Sequence, residues 1–285
     1  VDHEAAGAAS SMTQPPVRRL RGAELCCGSA RLAKAAIRRG FDMVTLDRNA
    51  QALEYDEELL PRDSAAAWTK ELRELRPEDM PTVDYFHCSP DCRSTSLMAA
   101  SVHLRVQSND FQGNTAACEG WNADGMHFYR LVTDQRSRPG NMHCAFTFEQ
   151  PAGMARRTHM AKLLEQPVSS GGLGAVRITI DMCRHGLDCQ KPTDLWVSGL
   201  PSLVDALAEP CPDGGSCHCR CPDPCGVHRI SKWRCSRLSP CKHFPSHSPV
   251  RGNTKHAWAS AFPHELCAFI MAYVERDLCA QRVKG

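Results

Sequence analysis

The chain has 285 residues, with 34 lysines and arginines against 32 aspartates and glutamates, and 17 cysteines. A net charge of +2 excludes a uniformly basic protein, and no stretch approaches the roughly 18 consecutive apolar residues that cross a bilayer. At 42% hydrophobic and 23% charged residues the chain can bury a core, which excludes wholesale disorder. Residues 1–19 read as a flexible lead-in, of the kind left when a longer polypeptide is cut, without the basic and apolar regions of a signal peptide. With the odd cysteine count, this predicts a reduced, intracellular protein, nuclear if the source is eukaryotic.

Leu20–Cys26 predicts a strand that enters the turn Cys27-Gly28-Ser29. Ala30–Arg39 predicts a helix closed by Gly40, and Phe41–Leu46 a strand closing on Asp47. Residues 50–60 and 65–76 read as helical. Thr82–Cys88 is an apolar, β-prone run ending at Ser89-Pro90. Residues 97–125 lack clear periodicity and are punctuated by Gly113, Gly120 and Gly125. A helix over Met126–Gln135 and strands at Cys144–Glu149, Val176–Cys183 and Asp194–Val197 follow, and an amphipathic helix over His264–Leu278 after Pro263 closes the pattern. Strands alternating with helices predict an α/β fold with an open parallel sheet of the doubly wound type.

Charge and cysteine are unevenly spread. Glu54–Asp79 holds nine acidic and four basic residues, whereas Cys211–Ser260 holds eight basic and two acidic. Seven of the 17 cysteines fall between Cys211 and Cys241, in a Pro/Gly-rich stretch that core packing does not account for. Cys211, Cys217, Cys219, Cys221, Cys225, His228, Cys235 and Cys241 offer several four-ligand sets, and thiolate and imidazole at short spacing suit tetrahedral zinc. Such an ion orders a loop-rich segment that lacks a core. A basic, cysteine-rich segment containing Trp233 is also a candidate nucleic-acid surface.

Four local signals occur in one order. Glu24-Leu25-Cys26-Cys27-Gly28-Ser29-Ala30 is a strand–glycine turn–helix, the place where cofactors bind in α/β sheets, and Asp47 ends the next strand, where an acid accepts hydrogen bonds from ribose hydroxyls. The full G-x-G-x-x-G of dinucleotide enzymes is missing, which argues against NAD. Ser89-Pro90-Asp91-Cys92-Arg93 puts a thiol just past a strand end, where Arg93 and a helix N-terminus would lower its pKa and make it a nucleophile. Phe148-Glu149-Gln150-Pro151 ends a strand on a carboxyl placed to exchange a proton. His185-Gly186-Leu187-Asp188-Cys189-Gln190-Lys191 follows a strand and brings polar groups to the same edge.

Taken together, these residues resemble the motifs of the S-adenosylmethionine-dependent cytosine-5 DNA methyltransferases. Glu24–Ala30 resembles the family's first motif and Ser89–Ser96 its Pro-Cys motif. Glu149-Gln150-Pro151 resembles its Glu-Asn-Val motif, His185–Lys191 a worn Gln-x-Arg-x-Arg motif, and Ala261–Leu266 the last motif. The resemblance covers residues 20–200 and 250–280. It implies a Rossmann-like sheet with Cys92 as nucleophile, Glu149 holding the target base and Lys191 or Arg184 supplying positive charge. It further implies S-adenosylmethionine on Glu24, Leu25, Cys26, Gly28, Ser29, Asp47, Arg48, Asp63 and Pro90. The implied organisation is a catalytic domain over 20–200, a zinc-bound target-recognition insert over 201–250 facing DNA, and a C-terminal helix over 251–285 returning to the cofactor side. Asp91, Arg93, Ala30 and Gln150 depart from the family's Pro, Gln, Gly and Asn. Two other readings are a transfer-RNA cytosine-5 methyltransferase and a zinc-dependent nucleic-acid binder on a weak methyltransferase scaffold.

Overall fold

The computed structural model describes residues 18–48, 65–95, 102–185, 187, 191–210, 228–231, 235 and 262–284. Five parallel strands form its centre: β1 (Arg21–Leu25), β2 (Asp42–Asp47), β3 (Ala65–Thr69), β4 (Tyr85–Cys88) and β5 (Ala145–Pro151). They continue into β6 (Val176–Asp181), β7 (Pro192–Ser198), β8 (Ala208–Pro210) and β9 (His228–Ser231), giving a nine-stranded sheet in the order β3-β2-β1-β4-β5-β7-β6-β9-β8. From β1 the chain winds outward to β2 and β3, and then returns to place β4 on the other side of β1. Such a switch point opens a crevice at the carboxyl ends of the two strands.

Alternation along each strand divides the core in two. On one face Met43, Tyr85, Ala145, Ile178 and Val197 meet α1 (Arg31–Ile37), α4 (Pro201–Leu207) and α5 (His264–Lys284). On the other face Leu25, Leu46, Phe86, Phe146 and Trp196 meet α2 (Ala116–Ser137) and α3 (His159–Glu165). Rings of Phe86, Phe128, Phe146 and Phe148 interlock there at centroid distances of 5.2–6.2 Å, a favourable range for tilted and edge-on aromatic pairs.

Three expectations are corrected. The sheet is mixed rather than all parallel, because β7 runs antiparallel to both β5 and β6. Ten residues separate Asp181 from Pro192 in the sequence, and a parallel crossover needs about a dozen or more. Residues 65–76 are not a helix: Ala65–Thr69 pairs with Met43–Asp47 as β3, so backbone pairing overrides the helix propensity of three alanines. Helix α2 begins at Ala116, ten residues before its predicted start, with the Thr115 hydroxyl accepting from the Cys118 N–H. Gly125 reads as a loop residue in the sequence, but it lets α2 approach α3: a Cβ there would lie 3.0 Å from Met160 Cγ.

Residues 201–210, assigned above to the insert, contribute α4 and β8 to the layers of the sheet, and Leu203, Val204 and Leu207 are buried. Among the described residues no helix is long and apolar enough to cross a membrane.

Candidate active site

Register across the parallel strands builds a buried polar row. Glu24 on β1 pairs with Thr45 on β2 and His87 on β4, and His87 pairs with Thr147 on β5. All four are at most 4% exposed. Two residues further along each strand come Asp47, Cys26, Ser89 and Glu149. The polar row is therefore the floor of the carboxyl-edge site.

Glu24 does not line the crevice. Its Oε2 accepts from the Ala33 N–H at 2.6 Å, so it reaches from β1 to cap the first turn of α1, whose N-cap residue, Ala30, makes no side-chain cap. Burial pushes its carboxyl up to about 8. The loop between β1 and α1 alternates through left-handed conformations at Cys26 (φ 55°), Gly28 (φ 49°) and Ala30 (φ 50°). Ala30 holds the left-handed conformation at a cost of about 1–2 kcal/mol in backbone strain. Gly28 donates to Asp47 Oδ2 at 2.9 Å, tying the loop to the end of β2.

Beside this loop lies a cleft of about 300 Å³ lined by Cys26, Gly28, Leu46, Asp47, Arg48, Glu71, Leu72, Ser89, Asp91 and Asp124. Four predicted cofactor residues (Cys26, Gly28, Asp47 and Arg48) are on its wall. Leu25 is buried in the core, Pro90 is buried, Ser29 is exposed, and Asp63 lies outside the described residues. Sequence reading missed Glu71, which follows β3, and Asp124, which comes from α2. Strand register brings the first to the cleft and helix packing the second. Arg73 Nε lies 3.0 Å from Asp124 Oδ1, and burial raises the Asp124 carboxyl.

The loop that carries Cys92 leaves β4 next to this cleft. Asp91 accepts from the Arg93 backbone N–H at 3.0 Å and from Arg93 Nε at 2.6 Å. Asp91 and Arg93 thus form an Asx turn with an ion pair that stiffens the loop. Gln150, fully buried, clamps the same loop. Its Nε2 donates to the Pro90 carbonyl at 2.7 Å, and its Oε1 accepts from the Thr95 hydroxyl at 2.6 Å. Residues on both sides of Cys92 are thereby fixed to β5.

Cys92 is half-buried, and burial and the charge of Glu149 push its thiol up, with Lys191 acting against them. The expected lowering is corrected. Arg93 turns outward to Asp91, its side chain 71% exposed, and a turn, not a helix, follows Cys92 through Thr95. Glu149 is buried, and its Oε1 accepts no hydrogen bond among the described residues; Lys191 Nζ stands 3.6 Å away. Of the two predicted basic groups Lys191 is the one placed at this carboxylate. Arg184 sits in the 3-10 turn Met182–His185, where its charge acts on His185.

Most of the predicted zinc ligands (Cys211, Cys217, Cys219, Cys221, Cys225 and Cys241) lie outside the described residues. His228 is on β9, and Cys235 is buried with its backbone N–H donating to Asp181 Oδ2 at 2.7 Å. Among the described residues no group of three or more His, Cys, Asp or Glu is arranged to hold a metal.

This architecture has solved counterparts. An Entamoeba histolytica methyltransferase, EhMeth, superposes with a TM-score of 0.52 at 9% identity, over 92% of this chain and 99% of its own. The chain shares the Rossmann-like α/β fold of that protein. The S. pombe Dnmt2 methyltransferase gives a TM-score of 0.41 at 14% identity over 63% of this chain, and a Spodoptera frugiperda DNMT2 mutant gives 0.41 at 13% over 63%. The chain spans about half the length of these two, 49% and 50%. No family model matches the chain, and no curated protein matches it.

Proposed function

We propose that the chain is an S-adenosylmethionine-dependent cytosine-5 methyltransferase acting on DNA. The observation that carries this reading is the convergence of Cys92, Glu149 and Lys191 at one strand edge, beside the cleft of Gly28 and Asp47.

The cleft suits the cofactor. Space is open where a Gly28 side chain would stand, so the backbone itself faces the ligand, and Asp47 at the end of β2 suits ribose hydroxyls. Carboxylates on its walls complement a cation. Bound there, S-adenosylmethionine supplies an electrophilic methyl group.

Cytosine C5 is a weak nucleophile. Addition of the Cys92 thiolate to C6 makes the ring enamine-like, so that C5 takes the methyl group; loss of the C5 proton then expels Cys92 and restores the ring. Oε1 of Glu149, which accepts no hydrogen bond among the described residues, is suited to bond the N3 and amino edge of the base and to stabilise charge that develops on addition. Lys191 lowers the cost of forming the thiolate. Gln150 and the Asp91–Arg93 turn hold the sulfur still. The base reaches this edge by flipping out of the duplex. Phosphate contacts by the basic 211–260 segment offset the cost, and a zinc ion is proposed to order that segment. Chelation that leaves DNA affinity unchanged excludes the metal's part.

The deciding experiment is tritiated-methyl transfer to duplex DNA and to transfer RNA in parallel. Label in DNA, abolished by Cys92→Ser, is the expected result, and label confined to transfer RNA moves the substrate to RNA. The raised Cys92 thiol favours a second reading, a nucleic-acid binder on a catalytically weak scaffold, which predicts DNA binding with label in neither.

A further inference from the structure

A hydrogen-bonded chain runs beneath the cleft. Tyr85 Oη lies 2.5 Å from Thr147 Oγ1, which lies 2.7 Å from His87 Nδ1. On the other side of the ring, His87 Nε2 lies 2.9 Å from Ser89 Oγ. Tyr85, Thr147 and His87 are at most 1% exposed, whereas Ser89 is half-buried on the cleft wall.

Each link by itself admits a hydrogen in either direction, because hydroxyls and a neutral imidazole both donate and accept. The far end decides the direction. The Tyr85 hydroxyl is sealed in the core, and Thr147 is its one hydrogen-bond partner among the described residues. A buried hydroxyl whose hydrogen meets no acceptor is costly, so Tyr85 donates to Thr147. The Thr147 hydroxyl is equally buried, and His87 Nδ1 is the one acceptor left to its hydrogen among the described residues, so Thr147 donates to His87 Nδ1. Burial holds His87 neutral, with its pKa down at about 3, so the ring carries a single proton. That proton is then on Nε2 and is donated to Ser89 Oγ. The hydrogen of Ser89 is left to point away from the ring, into the cleft.

We propose that Ser89 is a cofactor-binding hydrogen-bond donor whose direction is fixed by Tyr85, Thr147 and His87. The cleft walls carry Asp47, Glu71, Asp91 and Asp124 against Arg48, which is paired with Glu71 and Asp91, and this excess of carboxylates disfavours an anionic acceptor. The acceptor is therefore neutral, an adenine ring nitrogen or a ribose oxygen of an S-adenosyl compound. This rests on the cofactor reading of the cleft. Tyr85, Thr147 and His87 are positioning residues that never touch the ligand.

The test is calorimetric binding of S-adenosylhomocysteine to the full chain, to Ser89→Ala, to Tyr85→Phe and to the double variant. Loss of one net hydrogen bond raises Kd about 5- to 10-fold in Ser89→Ala. Tyr85→Phe frees the chain to reverse and raises Kd about 2- to 3-fold. In the double variant the Tyr85 change adds nothing, because no donor remains to be oriented. Unchanged affinity in Ser89→Ala overturns the proposal. So does a Tyr85→Phe effect that persists undiminished in the Ser89→Ala background, which marks Tyr85 as merely structural. A wild-type chain that binds no S-adenosylhomocysteine overturns the cofactor reading itself, and this proposal with it.

Discussion

Lys191 Nζ stands 3.6 Å from Glu149 Oε1 because β5 and β7 are antiparallel neighbours, with Pro151 opposite Thr193. The residue just before β7 is thereby brought to the end of β5, and both charges face the Cys92 thiol. Glu149 raises that thiol and Lys191 lowers it. Alkylation of Cys92, followed by mass spectrometry of its peptide, reads the balance. For wild type the rate rises with pH into the alkaline range, as the raised thiol deprotonates. Lys191→Gln moves the profile to higher pH and Glu149→Gln to lower pH. Coincident profiles for all three contradict the assignment.

Gln150 joins the Pro90 carbonyl to the Thr95 hydroxyl on either side of Cys92. A displacement of the sulfur by about 1 Å costs on the order of 100-fold in rate. Gln150→Ala is expected to lower kcat by about 10- to 100-fold with little change in the KM for S-adenosylmethionine. A variant that raises that KM and spares kcat assigns Gln150 to the cofactor side instead.

Arg105 is 1% exposed and donates to the Ser94 carbonyl at 2.7 Å, to Ser94 Oγ at 3.1 Å and to the Phe111 carbonyl at 2.7 Å. Its guanidinium lies 5.1 Å from the centre of the Trp121 ring. It ties the end of the loop that carries Cys92 to α2. Arg105→Met is expected to destabilise the fold by about 2–4 kcal/mol, because these acceptors lose a charged donor. Urea denaturation measures it, and a loss below about 0.5 kcal/mol, the size of an ordinary surface change, refutes the role.

Glu24 carries a pH signature in stability. Burial raises its carboxyl from 4.5 to about 8, so the folded chain holds a proton that the unfolded chain releases. Stability from this group is full below pH 4.5 and declines as pH rises towards 8. Glu24→Gln keeps an acceptor for the Ala33 N–H and removes the titration. Its melting temperature is expected to fall less than that of wild type between pH 5 and pH 8. Parallel curves contradict the account.

Much of the centre of the fold was legible in local pattern. β1, α1, β2 and β5 lie within a residue or two of their predicted spans, and β4 starts three residues late but ends where predicted, because apolar runs, Gly40 and strand-closing residues are local signals. The antiparallel turn of β7, the strand at Ala65–Thr69 and the early start of α2 were not legible in that way. The first two depend on partners distant in sequence, Phe146–Pro151 and Met43–Asp47, and the third was hidden by Gly125, whose place inside the helix rests on close approach to Met160. The same division holds at the site. Cys92, Glu149, Gly28 and Asp47 stand at strand ends that the sequence marks. Gln150 as a clamp, Asp124 on the cleft wall and the His87–Ser89 link arise only when strands and helices come together.

The central claim is covalent addition of Cys92 to cytosine C6. Its most direct test is incubation of the protein with S-adenosylmethionine and duplex DNA containing 5-fluorocytosine, in which fluorine blocks loss from C5 and stalls the adduct. The account predicts a denaturation-resistant protein–DNA complex, absent in Cys92→Ser and reduced in Glu149→Gln. A complex that survives Cys92→Ser, or methylated DNA with no trapped complex, would contradict it.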